Sequence, residues 1–185
     1  MRDITQDKLN NAGYSLVELL TVIAIIGILM GGITYGINLA FCKDASKCAS
    51  VLNDAIYETR MDSMTRTGTY KMTLKTDDGT DTGKYVVSID NGTDVKDVYL
   101  DGNKSRKTNI TVYPVDDAGT KGTAFTLPLV IQFDKSKGKV LVGEGSVTSE
   151  GIILFEVEGL RGNPDRNKSK VQLITATGKH TIGDF

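Results

Sequence analysis

Polarity changes once along this chain, and the change divides it. From Leu19 to Cys42 there are 24 consecutive residues without a charge, nearly all apolar. At 1.5 Å per residue a helix of that length reaches about 36 Å, enough to cross a hydrocarbon core of about 30 Å. Beyond Cys42 the apolar residues thin to a stripe. Ala45, Cys48, Ala49, Leu52, Ala55, Ile56, Thr59 and Ser63 recur at three- and four-residue steps, and Lys47, Asn53, Asp54, Glu58, Arg60 and Asp62 fill the other faces. No proline occurs between Met1 and Tyr113, and the first stop signal is Gly68 in "TRTGTY". The pattern predicts one continuous helix from about Tyr14 to Arg66. Its first half, residues 14–41, is apolar all round; its second, residues 42–66, is apolar on one side only.

From Thr69 onward the period shortens to that of strands. "TYKMTLK", "KYVVSID", "VKDVYL", "NITVYPV", "LPLVIQFD", "KVLVG", "GIILFEVEG" and "KVQLITATG" are rich in Val, Ile, Tyr, Phe and Thr. "DDGTDTG", "DNGTD", "DGNKS", "DDAGTKG", "KSKG" and "GNPDRN" separate them with turn chemistry. The fold class expected is α+β. A long N-terminal helix, membrane-spanning in its first half, packs in its second half against a mostly antiparallel β-sheet domain over residues 67–185.

Composition adds limits. Lys plus Arg number 22 and Asp plus Glu 23, so the net charge of −1 gives no reason to expect a nucleic-acid binder, and nucleic acid is not expected to bind directly. Cys42 and Cys48 are the only cysteines. On a continuous helix, six residues place them about 9 Å apart along the axis, beyond disulfide reach unless the helix breaks there. The opening segment, "MRDITQDKLNNAG", is polar, and the small-residue site Ala12-Gly13 precedes the apolar run. A secretory signal has its cleavage site after a shorter apolar stretch. Cutting at Gly13 would instead remove a hydrophilic leader, residues 1–13, and leave the span on the mature chain. Lys43 and Lys47 flank the far end of the span, so charge bias alone does not orient it. Glu18 is the one charge within the apolar segment's start. Two readings are open for it: a carboxylate at the headgroup boundary reaching out to water, or a counter-ion awaiting a partner.

Gly13 followed by "YSLVELLTVIAIIGIL" resembles the cleavage and methylation signature of type IV prepilins and pseudopilins. That pattern runs Gly, an aromatic residue, a hydroxyl residue, two aliphatics, Glu, and an apolar helix; here Gly13, Tyr14, Ser15, Leu16, Val17 and Glu18 supply it. A looser resemblance joins "VLNDAIYETRMDSMTRTGTYKMTL" and the closing "SKVQLITATGKHTIGDF" to minor pseudopilins of type II secretion and the related minor pilins that prime type IV filaments. The resemblance implies cleavage after Gly13, N-methylation of Tyr14 and assembly through Glu18. Its implied partners are other pilin subunits, a prepilin peptidase, a membrane assembly platform with its ATPase, and membrane lipid before assembly. Its implied location is the cytoplasmic membrane, N-terminus cytoplasmic, and then an extracytoplasmic filament. Gly27 with Gly31, and Gly32 with Gly36, have the small-xxx-small spacing that lets helices approach closely. Many major pilins have a proline where Tyr35 stands, so the helix either stays continuous or loosens at Gly31-Gly32. The expected role is a structural subunit, with a minor subunit favoured. A major pilin of the fibre body and a non-polymerising membrane-anchored binding protein are the alternatives.

Enzyme chemistry finds little support. His180 is the single histidine, no serine sits in an elbow or triad spacing, and "GEGSVTSEG" lacks the lysine of a phosphate loop. No cofactor is expected. Asp77, Asp78 and Asp81 in "DDGTDTG" are candidate oxygen ligands for Ca²⁺, although EF-hand spacing is absent and Asp-Gly turn chemistry accounts for the stretch. "KSRK", residues 104–107, reads as a small solvated basic loop.

Overall fold

The computed structural model describes residues 14–41, 43–102, 105–116, 118–163 and 165–183, with the backbone path alone at residues 34, 35 and 37–41. The leader with Gly13, and Cys42, lie outside the described residues. The chain divides into two units, the first ending at Ile37 and the second starting at Asn38.

Helix α1 runs Leu16–Phe41, 26 residues and about 39 Å long. Neither Gly31-Gly32 nor Tyr35 interrupts it. Helix α2 runs Asp44–Thr65. The single helix expected from the pattern is therefore two, parted by a turn at Lys43. The physical reason lies far along the chain. In a continuous helix the Ala45 amide would donate to the Phe41 carbonyl; here it donates to Asn167 Oδ1 at 3.0 Å. Asn167 is fully buried, and its Nδ2 donates to the Arg161 carbonyl at 2.7 Å. The Arg161 guanidinium in turn pairs with Asp44 at 2.8 Å, at the helix end where a carboxylate is favoured. The β-domain thus caps α2 from outside the helix's own sequence. Gly159 makes room for this cap, since a Cβ there would lie 1.7 Å from Asn167 Nδ2. Helix α2 ends at Thr65, where Arg66 turns extended and Gly68 follows at φ +128°, a conformation strained for any other residue.

Eight strands follow: β1 Lys71–Thr76, β2 Tyr85–Asp90, β3 Val95–Tyr99, β4 Thr108–Val115, β5 Leu129–Gln132, β6 Ile152–Gly159, β7 Lys168–Ile174 and β8 His180–Gly183. They form two four-stranded sheets, ordered β3-β2-β1-β5 and β4-β6-β7-β8, with antiparallel neighbours throughout. "KVLVG" does not become a strand. Only Val140 bridges to Phe133, and the chain then runs along the outer edge of β5, with the Leu141 amide on the Gln132 carbonyl and the Ser146 amide on that of Val130. That segment covers an edge that would otherwise present unpaired backbone groups.

The stripe on α2 is buried as its spacing predicts: Ala45, Cys48, Ala49, Leu52, Ala55, Ile56, Thr59 and Ser63. It meets Met72, Leu74, Val87 and Ile131 of one sheet and Val112, Ile153, Phe155, Val171 and Leu173 of the other in one core. Leu52 and Ile56, both at 0% exposure, each contribute roughly 1.5–3 kcal/mol by burial. Arg60, on the polar flank, reaches across to two turns. Its Nε donates to the Gly138 carbonyl at 2.9 Å and its Nη2 to that of Thr177 at 3.2 Å.

Candidate functional site

The local chemistry of the first turn decides where α1 begins. The Leu19 amide donates to the Ser15 carbonyl at 3.1 Å, so helical bonding starts there. Ser15 Oγ accepts the Glu18 amide at 3.2 Å, which satisfies one of the donors a helix start leaves over. Ser15 is thus the N-cap and Glu18 the third helical residue, the S-x-x-E spacing of a capping box. Thr21 Oγ1 donates to the Glu18 carbonyl at 2.9 Å within the next turn. The Glu18 carboxylate is exposed at the positive end of the helix, and no ion pair among the described residues holds it. Tyr14, 83% exposed, lies two residues before the helix.

The helix behind this turn is uncovered. Leu16–Ile33 is long and apolar enough to cross a membrane, and none of it is buried. A helix that packs on a domain shows an apolar stripe; here the apolar residues go all round. At Gly27, Gly31, Gly32 and Gly36 an added Cβ would meet nothing within 4 Å. The small residues therefore leave open concavities on an apolar rod, the surface that close helix packing uses.

The calcium candidates sit in the β1–β2 turn and are used by it. Asp77 accepts the Lys84 amide at 2.8 Å and pairs with its ammonium at 3.3 Å. Asp78 accepts the Thr80 amide at 2.9 Å and the Thr80 hydroxyl at 2.7 Å, and these bonds hold its carboxyl below the usual carboxylate range. Asp81 is exposed beside them. Among the described residues, no group of three or more His, Cys, Asp or Glu side chains converges as a metal site would. Cys48 is a free, buried thiol that accepts the Thr108 hydroxyl at 3.3 Å; burial pushes it up to about 12. His180 is half-buried, edge-on to Tyr57 with ring centres 6.0 Å apart.

Three roles were missed on the sequence. Ser15 enters the reading there only as a hydroxyl in a signature, although its three-residue spacing to Glu18 carries the capping signal. Asn167 and Arg161, the cap of α2, leave no local signal at all.

Residues 8–34 match the family described as the prokaryotic N-terminal methylation motif. No curated protein and no solved structure matches the chain. The matched span takes in Ser15, Glu18 and the first three glycines of α1. It points to a structural subunit rather than an enzyme, one that is processed by a prepilin peptidase and assembles with other pilin subunits. With Leu16–Ile33 an uncovered apolar helix, residues 8–34 are the prepilin-type cleavage and methylation signal of type IV pilins.

Proposed function

We propose that this chain is a filament subunit of the type IV pilin kind, polymerised through α1. The observation that carries the reading is the exposed Glu18 in the first turn of a membrane-length helix whose apolar surface the chain itself leaves unburied. Cleavage after Gly13 would free the α-amino group of Tyr14, which has an ordinary pKa of about 7.7–8.0 and is largely cationic at neutral pH. N-methylation of Tyr14 keeps that charge. In a bundle of such helices, away from water, an unpaired carboxylate is costly, and the amine of a neighbouring subunit neutralises it. The only register that satisfies both charges is then the one that brings Glu18 to a neighbour's Tyr14. Gly27, Gly31, Gly32 and Gly36 let the rods approach.

Before assembly the helix would rest in the cytoplasmic membrane with residues 42–185 outside, and an ATPase-driven platform would lift it into the filament. The sequence of the domain favours a minor subunit at or near a filament tip over a major one. Cellular abundance separates the two, since a fibre body needs many copies.

The deciding experiment is recovery of Glu18→Ala in sheared filaments beside the unmodified chain. Loss of the variant from the filament fraction, with its membrane level unchanged, is the expected result. Equal recovery would overturn polymerisation through this residue. Mass spectrometry of the N-terminus tests the processing step separately: a methylated Tyr14 start is expected, and an intact Met1 would refute it.

A further inference from the structure

The β-domain contains an open cleft of about 660 Å³, walled by β1, β2, β4 and the segment leading into β5. That volume falls in the range of about 300–1,000 Å³ typical of small-molecule sites. Its distinguishing residue is Arg106, the arginine of the basic loop "KSRK". Instead of standing in solvent, Arg106 is half-buried and held on four sides. Its Nε donates to the Thr108 carbonyl at 2.9 Å, and its Nη2 donates to the Tyr85 hydroxyl at 2.7 Å and to Asn109 Oδ1. The guanidinium also lies 4.6 Å from the centre of the Tyr85 ring.

Every one of those partners is neutral. Lys75, on β1, lines the same cleft. Among the described residues no ion pair holds either cation, whereas Lys71, Lys84 and Lys96 of the same sheet region each meet a carboxylate. Three carboxylates lie in or near the wall, and Asp77 is already paired with Lys84. Asp81 lines it and is exposed, while the oxygens of Asp78 are committed to Thr80. Asp78 feels the Arg106 charge without touching it, so the half-buried guanidinium has given up hydration with no carboxylate bonded in its place. An incoming oxyanion restores that loss through charge-assisted bonds, and the side chain is already fixed for it.

The rest of the wall limits what carries the oxyanion. Thr76 and Thr126 offer hydroxyls, and Phe125 and Pro128 offer apolar surface. Hydroxyl partners beside an apolar face suit a pyranose ring, which has equatorial hydroxyls and a C–H face. The cleft is also far larger than a bare phosphate. We propose that this cleft binds an acidic saccharide, its carboxylate or phosphate placed between Arg106 and Lys75 and its ring against Phe125.

Calorimetry on the full chain in detergent micelles tests this, with galacturonate, galactose 6-phosphate, galactose and inorganic phosphate as probes. Binding of at least one acidic sugar at one site is expected, about tenfold or more tighter than galactose, since each tenfold is a modest 1.4 kcal/mol. Lys75→Gln should weaken that binding about three- to tenfold, and Asp81→Asn should tighten it, as removal and relief of single charges at a partly solvated site do. Arg106→Gln should abolish it. Because that change also removes the Tyr85 contacts, Lys75→Gln at its half-exposed position is the deciding variant. The relative affinities of galacturonate and galactose 6-phosphate tell carboxylate from phosphate. No binding of either acidic sugar, equal binding of galactose, or indifference to Lys75→Gln would overturn the proposal. Inorganic phosphate binding as tightly as galactose 6-phosphate would overturn the role of the ring. None of these outcomes bears on Glu18, so the filament reading stands or falls separately.

Discussion

Helices α1 and α2 are similar in length, 26 and 22 residues, and treat their apolar side chains in opposite ways. Helix α2 gathers most of them into one stripe that two sheets bury completely, leaving Tyr57 exposed outside it. Helix α1 carries more of them, on every side, and Leu16–Ile33 buries none. A buried Leu or Ile contributes roughly 1.5–3 kcal/mol relative to an exposed one, so an uncovered apolar rod of this length is a large unmet demand. The cover for α2 is built into the chain. The cover proposed for α1 is another molecule, whether lipid or neighbouring helices. On that reading one helix belongs to folding and the other to association.

The sharpest way to break this distinction is to make the same change in both. Leu52→Ala removes a side chain at 0% exposure and should cost the domain about 2–5 kcal/mol. Leu20→Ala removes one at 62% exposure and should leave domain unfolding unchanged within about 0.5 kcal/mol. Urea denaturation of the full chain in detergent reads both through tyrosine fluorescence, since the chain has no tryptophan and Tyr70 and Tyr85 are buried. Equal losses would mean that α1 contributes to the fold of the domain.

The two helix starts differ as well, and Gly159 tests that of α2. A methyl group at this position collides with the Asn167 amide, the group that caps Ala45. Gly159→Ala should destabilise the domain by about 1–3 kcal/mol, as forced overpacking does. It should also speed hydrogen exchange at the Ala45 amide. A loss of stability with Ala45 exchange unchanged would show that the strain is absorbed elsewhere and the cap is intact.

What could be read from the sequence follows the same line. The α2 stripe was legible because a period of three to four residues is a local property, and all eight positions are buried. Glu18 stands out in the sequence as a lone charge at the start of an apolar run, and the structure leaves it exposed in the first turn of α1. The gap between the helices was not legible. Residues near Lys43 include no proline and no glycine, and the groups that end the continuity, Asn167 and Arg161, are more than a hundred residues away. "KVLVG" reads as a strand in sequence and is not one in the fold, for a related reason. Its apolar content is real, but Val140 and its neighbours lie along an edge already made by β5. Arg106 shows the limit most clearly. A basic loop in sequence becomes a fixed cation because Tyr85 and Asn109, on two different strands, meet beneath it.

Cys48 extends the comparison to titration. Its thiol is part of the buried stripe, and desolvation raises it from an ordinary value near 9 to about 12, against the lowering effect of the Thr108 bond. Below pH 9 both folded and unfolded chains keep the proton, so the contribution to stability is fully present. Between pH 9 and 12 the unfolded chain loses the proton first, and stability falls as the pH rises. Cys48→Ala should remove that part of the alkaline slope, measured as the difference between two urea series at pH 9 and pH 10.5. Identical slopes would show that the folded thiol titrates as an ordinary one. Iodoacetamide at pH 8 gives the matching chemical test, with labelling of Cys48 expected only under denaturing conditions.

The smallest effect is expected at the start of α1, and it separates the helices most finely. Helix α2 takes its cap from a distant residue, whereas α1 takes its own from Ser15, three residues before Glu18. A cap of this kind is worth about 1 kcal/mol and acts on the first turn alone. Ser15→Ala should therefore speed hydrogen exchange at the Glu18 amide several-fold in micelles, with exchange at Ile23 and beyond unaffected. Ser15→Asp, which keeps an acceptor at the cap, should restore it. If Ser15→Ala frays α1 well past its first turn, the helix depends on its start far more than a lipid-covered rod should. If neither variant changes Glu18 exchange, the hydroxyl in the signature serves the processing enzyme, and the position of Glu18 is set by the apolar helix alone.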